Sequence, residues 1–230
     1  MLFAAQPPVL ARTSDGNEFP VRRVFCIGRN YAEHAKEMGA EVNDDPPFYF
    51  TKWAEAVVPS GSTIAYPPQT ANYHYEGELV VAIGKGGRDI PADRAMDHVL
   101  GFATGLDMTR RDLQSAARGK GHPWDMAKNV EQSAPLGLVH PIAETGAMQR
   151  GAITLRVNGE VRQQADLSDL IHSVPEVIAH ISRGYRLEPG DIIYTGTPAG
   201  VGPVVPGDEI VVSVEGLSDT VIRVGPPAGN

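Results

Sequence analysis

Glycine and proline interrupt this chain so often that long helices have little room to form. Of its 230 residues, 25 are Gly and 19 are Pro, roughly a fifth against a usual ~12%. Each one tends to end or turn a regular element. Between the interruptions lie short apolar or alternating runs, the signature of strands and tight turns with a few short helices. The expected fold class is α+β, and β-rich. The length suits one large domain or two small ones with a sizeable core, and no linker, repeat array or low-complexity stretch divides it. A net charge of −8 argues against nucleic-acid and anionic-membrane partners, since neither would be attracted. The lone cysteine, Cys26, excludes an internal disulfide and a cysteine-based zinc cage. No apolar run approaches the ~20 residues of a membrane span, and the start MLFAAQPPVLART lacks a basic leader region. A cytoplasmic protein is expected.

Residues 1–20 read as an irregular or edge segment. Strands are expected at 21–28 (VRRVFCIG), 48–52 (FYFTK), 73–83 (YHYEGELVVAI) and 99–106 (VLGFATGL). Short helices are expected at 30–38, at 91–98, and from Thr109, where Asp112 makes a capping-box pattern. The polar stretch 39–47 reads as a mobile loop. Asn158-Gly159 between 153–157 and 160–164 is a strong two-residue hairpin signal. Ser173 with Glu176 opens a helix whose apolar face is Val174, Val177, Ile178 and Ile181, and Gly184 closes it. Strands at 192–195, 209–214 and 221–224 complete the pattern.

Four constellations carry chemistry. Glu76 and Glu78 stand at i and i+2 of a strand, so they share a face and repel unless protonated or bridged by a cation. A solvated polar strand face gives the same pattern. Asp107 ends the buried run 99–106. It either caps the next helix or supplies a third carboxylate. Three carboxylates with few histidines suit Mg²⁺, Mn²⁺ or Ca²⁺ better than zinc or copper. His34 and Glu37 share a helix face, as a surface ion pair or as a carboxylate-oriented general base. The run 194–203 (YTGTPAGVGP) leads a strand into a Gly- and Thr-rich loop whose N–H groups and hydroxyls suit a carboxylate. It lacks the Gly-Lys-Ser/Thr of a phosphate loop, and the chain has no G-x-S-x-G, GxGxxG or HExxH motif.

Gly28-Arg29-Asn30-Tyr31 leading to His34 and Glu37, then HYEGEL at 74–79, GLDMTRRDLQ at 105–114 and TGTPAGVGPV at 195–204, resemble the fumarylacetoacetate hydrolase family in content and order. The resemblance covers roughly residues 20–225. It implies a mixed β-sheet roll or barrel with short peripheral helices. It also implies a single catalytic domain at 21–226 after the segment 1–20, a mobile lid at 30–45 and a homodimer. It places Mg²⁺ or Mn²⁺ on Glu76, Glu78 and Asp107, and catalysis on His34, Glu37 and Lys128. Arg29, Tyr31, Arg111, Gln114 and Thr197 are the implied substrate contacts. Two departures stand out. Asn129-Val130-Glu131 follows Lys128 where the family often has Ser-Phe-Asp, and Trp53 follows Lys52 where proline is common.

Within the family, the short bacterial acylpyruvate hydrolases are most similar. They imply a small anionic 2-oxo acid substrate, cleaved at its C3–C4 bond with water, as fumarylpyruvate gives fumarate and pyruvate. Its second carboxylate calls for a cation, with Arg29, Arg110, Arg111, Arg118 and Lys120 as candidates. Oxaloacetate decarboxylation and isomerisation of unsaturated 2-oxo dicarboxylates could use the same metal site. A non-catalytic metal- or ligand-binding module is the alternative from another class.

Overall fold

The computed structural model describes Leu2, residues 4–39 and residues 45–227. Residues 40–44 of the loop and lid expected at 39–47 and 30–45 lie outside the described residues. At the centre is an eight-stranded mixed sheet. Its path runs β4 (Phe48–Lys52), β3 (Val24–Gly28), β15 (Ile192–Tyr194), β8 (Gly77–Ile83), β9 (Val99–Leu106), β11 (Ala134–Leu136) and β5 (Val57–Pro59), and β12 (His140–Pro141) pairs with β9 off that path. β15 is parallel to β3 and β11 to β5, while the other neighbours on the path are antiparallel.

β8 is buried along its whole length, which explains why its sequence is nearly all apolar rather than alternating. Leu79, Val81 and Ile83 join one core with Phe25, Phe102 and the apolar face of α5 (Val174–Gly184). Val80 and Ala82 face the other way, into a core with Val24, Cys26, Ala103 and Tyr194. A five-stranded sheet, ordered β14 (Glu160–Asp166), β13 (Ala152–Val157), β17 (Glu209–Val214), β18 (Thr220–Pro227) and β6 (Thr63–Tyr66), supplies Leu155, Ile210 and Ile222 to a third core. That core also takes Tyr73 and Tyr75 from a three-stranded sheet of β10 (Thr109–Arg110), β7 (Tyr73–Tyr75) and β16 (Gly202–Val204). The remaining helices, α1 (Ala32–Glu37), α2 (Arg111–Lys120), α3 (Asp125–Lys128) and α4 (Ile142–Thr145), are short. The result is the expected β-rich α+β roll.

The strands at 48–52 and 99–106 have the expected bounds. At the 158–159 hairpin, Asn158 and Gly159 both take positive φ, 52° and 84°, as a two-residue turn of the favoured hand requires. Glu176 accepts from both Ser173 N and Ser173 Oγ at the start of α5. Five expectations change. The run 73–83 is two strands in two sheets, divided at Glu76. The helix expected from Thr109 begins at Arg111, because Thr109 and Arg110 pair with His74 and Tyr73. Asp112 caps a different segment, accepting from Thr70 Oγ1 and Ala71 N. The strand expected from residue 21 begins at Val24, since Val21 N bonds Val9 O and Arg22 N bonds Gly190 O. The helix at 91–98 is a 3₁₀ segment, Ala92–His98. In the N-terminal segment, β1 (Leu10–Arg12) and β2 (Glu18–Pro20) form a two-stranded sheet.

Candidate active site

Antiparallel pairing solves the distance problem posed by 29 intervening residues. Gly77 pairs with Leu106 and Glu78 with Gly105, so Asp107 lies opposite Glu76, and Asp107 N donates to Glu76 O at 2.9 Å. Glu76 sits where β7 leaves one sheet and β8 enters another. Glu76, Glu78 and Asp107 are all buried, and one carboxylate oxygen from each lies within 4.8 Å of the others. Gly105 is needed here. A Cβ at that position would stand 2.6 Å from Val80 Cγ2 and 2.7 Å from Tyr194 Cε1.

Three cations meet the three acids. Lys128, at the end of α3, donates from Nζ to Glu76 Oε2 at 2.6 Å and Asp107 Oδ2 at 2.7 Å. Arg111, opening α2, bridges Glu76 Oε1 and Gln114 Oε1. Lys52, ending β4, gives its protons to Met108 O, Ser133 O and Ser133 Oγ, and its Nζ lies 2.9 Å from Asp107 Oδ1. Burial favours the neutral form of Glu76, but Lys128, Arg111 and His34 outweigh it and hold this carboxyl well below the usual range. Glu78 goes the other way. Burial, Asp107 and Glu76 push it well above the usual range, and the Gly196 N–H, 2.7 Å from Oε2, only partly offsets them. Lys52 is pushed down by burial despite Asp107, while Asp107 and Glu76 raise Lys128 against its own burial.

These residues fit a divalent cation. The donors are all hard carboxylate oxygens. Their spread matches about two metal–oxygen bonds of 2.0–2.6 Å end to end. Glu78 forms no ion pair with a described Lys, Arg or His, so a cation is what its ionised form lacks. Lys128, Arg111 and Lys52 offset the charge of the three acids, so a dication would leave a positive excess able to receive an anion.

Above the triad, His34 and Thr197 line the same chamber. His34 is 5% exposed, and its Nδ1 lies 3.1 Å from Glu37 Oε2. Nδ1 is thus committed, and Nε2 is the ring nitrogen left for a proton transfer. Both Glu37 oxygens also accept from Gly200 N, at 3.2 and 3.3 Å, which docks α1 on the Gly-rich loop. Arg118 adds a second tether by donating to Met38 O. Thr197 Oγ1 donates to Gly77 O and accepts from Gln163 Nε2. The chamber has about 30 Å³ of free volume, enough to hold water.

Of the residues singled out by sequence, Glu76, Glu78, Asp107, His34, Lys128, Arg29, Arg111, Gln114 and Thr197 line this chamber. Glu37 stands behind His34. Tyr31 is not on the wall: it is buried at the start of α1, and its hydroxyl has no hydrogen-bond partner. Arg110 and Lys120 do not line the chamber, and Arg110 turns to Met126 O. Three contributors carry no role in the sequence reading, although Asn30 belongs to its Gly28-Arg29-Asn30-Tyr31 motif. Lys52 was noticed only for its neighbour. Asn30 binds His172 N, His172 O and Thr195 O, pinning the end of β3 beside the Thr loop. Gln163 ties Gly77 N to Thr197. Gln163 lies in an otherwise ordinary run and only its burial marks it, whereas Asn30 is marked by its motif as well as its burial.

A family model described as fumarylacetoacetate (FAA) hydrolase C-terminal matches residues 23–225. The chain belongs to the fumarylacetoacetate hydrolase family. Among its members, a fumarylpyruvate hydrolase from Ralstonia sp is 51% identical over 179 residues, 78% of this chain and 93% of that one. The human mitochondrial oxaloacetate tautomerase FAHD1 is 42% identical over 206 residues, 90% of this chain and 93% of that one. The crystal structure of fumarylpyruvate hydrolase from Pseudomonas aeruginosa in complex with Mn²⁺ and pyruvate superposes with a TM-score of 0.96 at 49% identity, covering 98% of this chain and 99% of that one.

Proposed function

We propose that this chain is a divalent-metal-dependent acylpyruvate hydrolase that cleaves fumarylpyruvate with water into fumarate and pyruvate. The observation that carries this is a buried triad of carboxylates sharing one chamber with a histidine whose Nδ1 is held by a glutamate. Fumarylpyruvate hydrolases at 51% and 49% identity support the same chemistry.

Glu76, Glu78 and Asp107 would hold Mg²⁺ or Mn²⁺, which supplies Lewis-acid polarisation of a 2-oxo acid and stabilises negative charge on the departing pyruvate unit. His34, oriented by Glu37, takes a proton from water at Nε2, and the water oxygen bonds to C4 of the substrate. Lys128 and the Gln114 amide, whose oxygen is already engaged by Arg111, are the donors available to the oxyanion that develops there. As the C4 carbonyl re-forms, the C3–C4 bond breaks and its electron pair stays with C3. The proton held by His34 is then available to C3, which completes pyruvate. The acyl unit leaves as a carboxylic acid and ionises.

In this scheme residues 21–226 act as one catalytic domain. The stretch 30–45 closes over the chamber, with the Glu37–Gly200 and Arg118–Met38 contacts as the closed-state tethers of its described part. The working form is a cytoplasmic homodimer that uses Mg²⁺. No helix among the described residues is long and apolar enough to cross a membrane.

A second reading is favoured by the 42%-identical oxaloacetate tautomerase: the same dyad moving a proton between carbon and oxygen of oxaloacetate without cleaving a carbon–carbon bond. Purified protein with Mg²⁺, offered fumarylpyruvate, acetylpyruvate and oxaloacetate, separates these. Fumarate with pyruvate is the expected result. Oxaloacetate tautomerisation or CO₂ release, with both acylpyruvates left intact, would overturn hydrolysis.

A further inference from the structure

The chamber over the triad is too small for a whole acylpyruvate. Its free volume of about 30 Å³ is well short of what such a substrate fills, so the acyl group has to continue elsewhere. One cavity opens directly beside it. This neighbour has a free volume of about 540 Å³ and shares Arg29, Phe50, Arg118, Trp124 and Lys128 with the triad chamber.

Its shared wall is aromatic and cationic. Phe48 and Phe50 both pack edge-on or tilted against Trp124, with ring centroids 5.2 and 5.8 Å apart. Lys128 Nζ lies 4.9 Å from the Phe50 ring centre, which places that ring beside the reacting end. Flat rings of this kind accept a planar, conjugated acyl group on their faces. At the same junction stand two guanidinium groups. Among the described residues neither Arg29 nor Arg118 is paired with a carboxylate, and Arg118 spends one donor on Met38 O. Arg29 also holds a φ of 59°, a conformation that few residues other than glycine adopt and that concentrates at ligand sites. Asp125 is the one acid on the cavity wall among the described residues.

The other candidate cations are excluded by their contacts. Arg111 is held by Glu76 and Gln114, and Arg110 points to Met126 O. Lys120 lines neither cavity.

We infer that the neighbouring cavity is an acyl subsite selecting a planar acyl group that ends in a carboxylate, with Arg29 and Arg118 receiving that carboxylate. This rests on the hydrolase reading above. It deepens that reading by separating dicarboxylic from monocarboxylic acylpyruvates through two residues at the junction of the two cavities.

The test is a selectivity ratio. kcat/KM is measured for fumarylpyruvate and for acetylpyruvate, which lacks the second carboxylate, in the wild-type chain and in the double variant Arg29→Gln/Arg118→Gln. The ratio of the two values should fall by about tenfold or more, as expected when a charge-assisted pair to one substrate alone is removed. Any loosening of α1 through the Met38 tether acts on both substrates and cancels in the ratio. If the wild type cleaves both substrates and the ratio stays within twofold in the variant, the subsite assignment is overturned while hydrolysis stands. If the wild type releases pyruvate from neither, the hydrolase reading falls and takes the subsite with it.

Discussion

Glu78 is the side chain on which the metal assignment turns. Glu76 and Asp107 already have Lys128, Arg111 and Lys52 beside them, whereas among the described residues Glu78 has a backbone N–H at 2.7 Å and no ion-pair partner. Glu78→Gln should therefore weaken divalent-metal affinity by at least about 100-fold, more than the 10- to 100-fold typical of residues that merely support ligands. Calorimetric titration with Mn²⁺ measures this, and an affinity within threefold of wild type would exclude Glu78 as a ligand. His34→Ala should leave metal affinity near wild type but lower kcat by about 10²- to 10⁴-fold, the usual contribution of a positioned base. Gly200 is fixed for steric reasons: its φ is 97°, and a Cβ there would lie 2.2 Å from Arg162 O. Sequence exposed the acids and the dyad because their spacing has a direct geometric meaning on a strand or a helix. It did not expose the roles of Lys52, Asn30 or Gln163, whose partners stand 55 or more residues away along the chain in most cases. Tyr31 matched a motif, yet the wall of the chamber excludes it.

The same capping pattern at two places met two fates, which shows where local reading stops working. At Ser173 nothing distant competes, so Glu176 takes both the N–H and the hydroxyl of the cap residue and α5 starts where expected. At Thr109 the long-range pairing of β10 with β7 takes precedence, and the carboxylate of Asp112 is captured by the turn at Thr70. Ser173→Ala should therefore cost about 1 kcal/mol, seen as a Tm lower by about 2–4 °C in a chain of this size. Thr109→Ala should leave the start of α2 in place. An unchanged Tm for Ser173→Ala in thermal melts would show that the capping contacts add nothing to α5. The strand at 99–106 was legible because burial on both faces leaves a continuous apolar run, and 48–52, a half-exposed edge strand, because aromatic residues favour strands. The break at Glu76 was not, because it depends on which sheet each half of the run joins.

For the whole molecule, charge acts at two ranges. The net −8 repels polyanions, yet a dication on the triad turns the chamber into a receptor for a small anion. This leads to a pH dependence. Glu78 has its proton affinity raised by folding, so in the metal-free chain its contribution to stability is full below the ordinary glutamate range and is lost as pH rises through the folded value. Glu76, held low, remains ionised throughout that window. A bound dication removes the penalty on ionised Glu78. The Tm difference between Mg²⁺-loaded and chelator-treated protein should thus be larger at pH 7 than at pH 5, as scanning calorimetry can read. A difference that shrinks with rising pH would contradict the assigned direction.

The most direct measurement of the central claim is pyruvate release from fumarylpyruvate by chelator-stripped protein before and after Mg²⁺ or Mn²⁺ is returned. Release should be absent after stripping, should return with either ion in the wild-type chain, and should not return in Glu76→Gln. Full-rate release by the stripped protein would contradict the assignment of Glu76, Glu78 and Asp107 as the metal site that drives the cleavage.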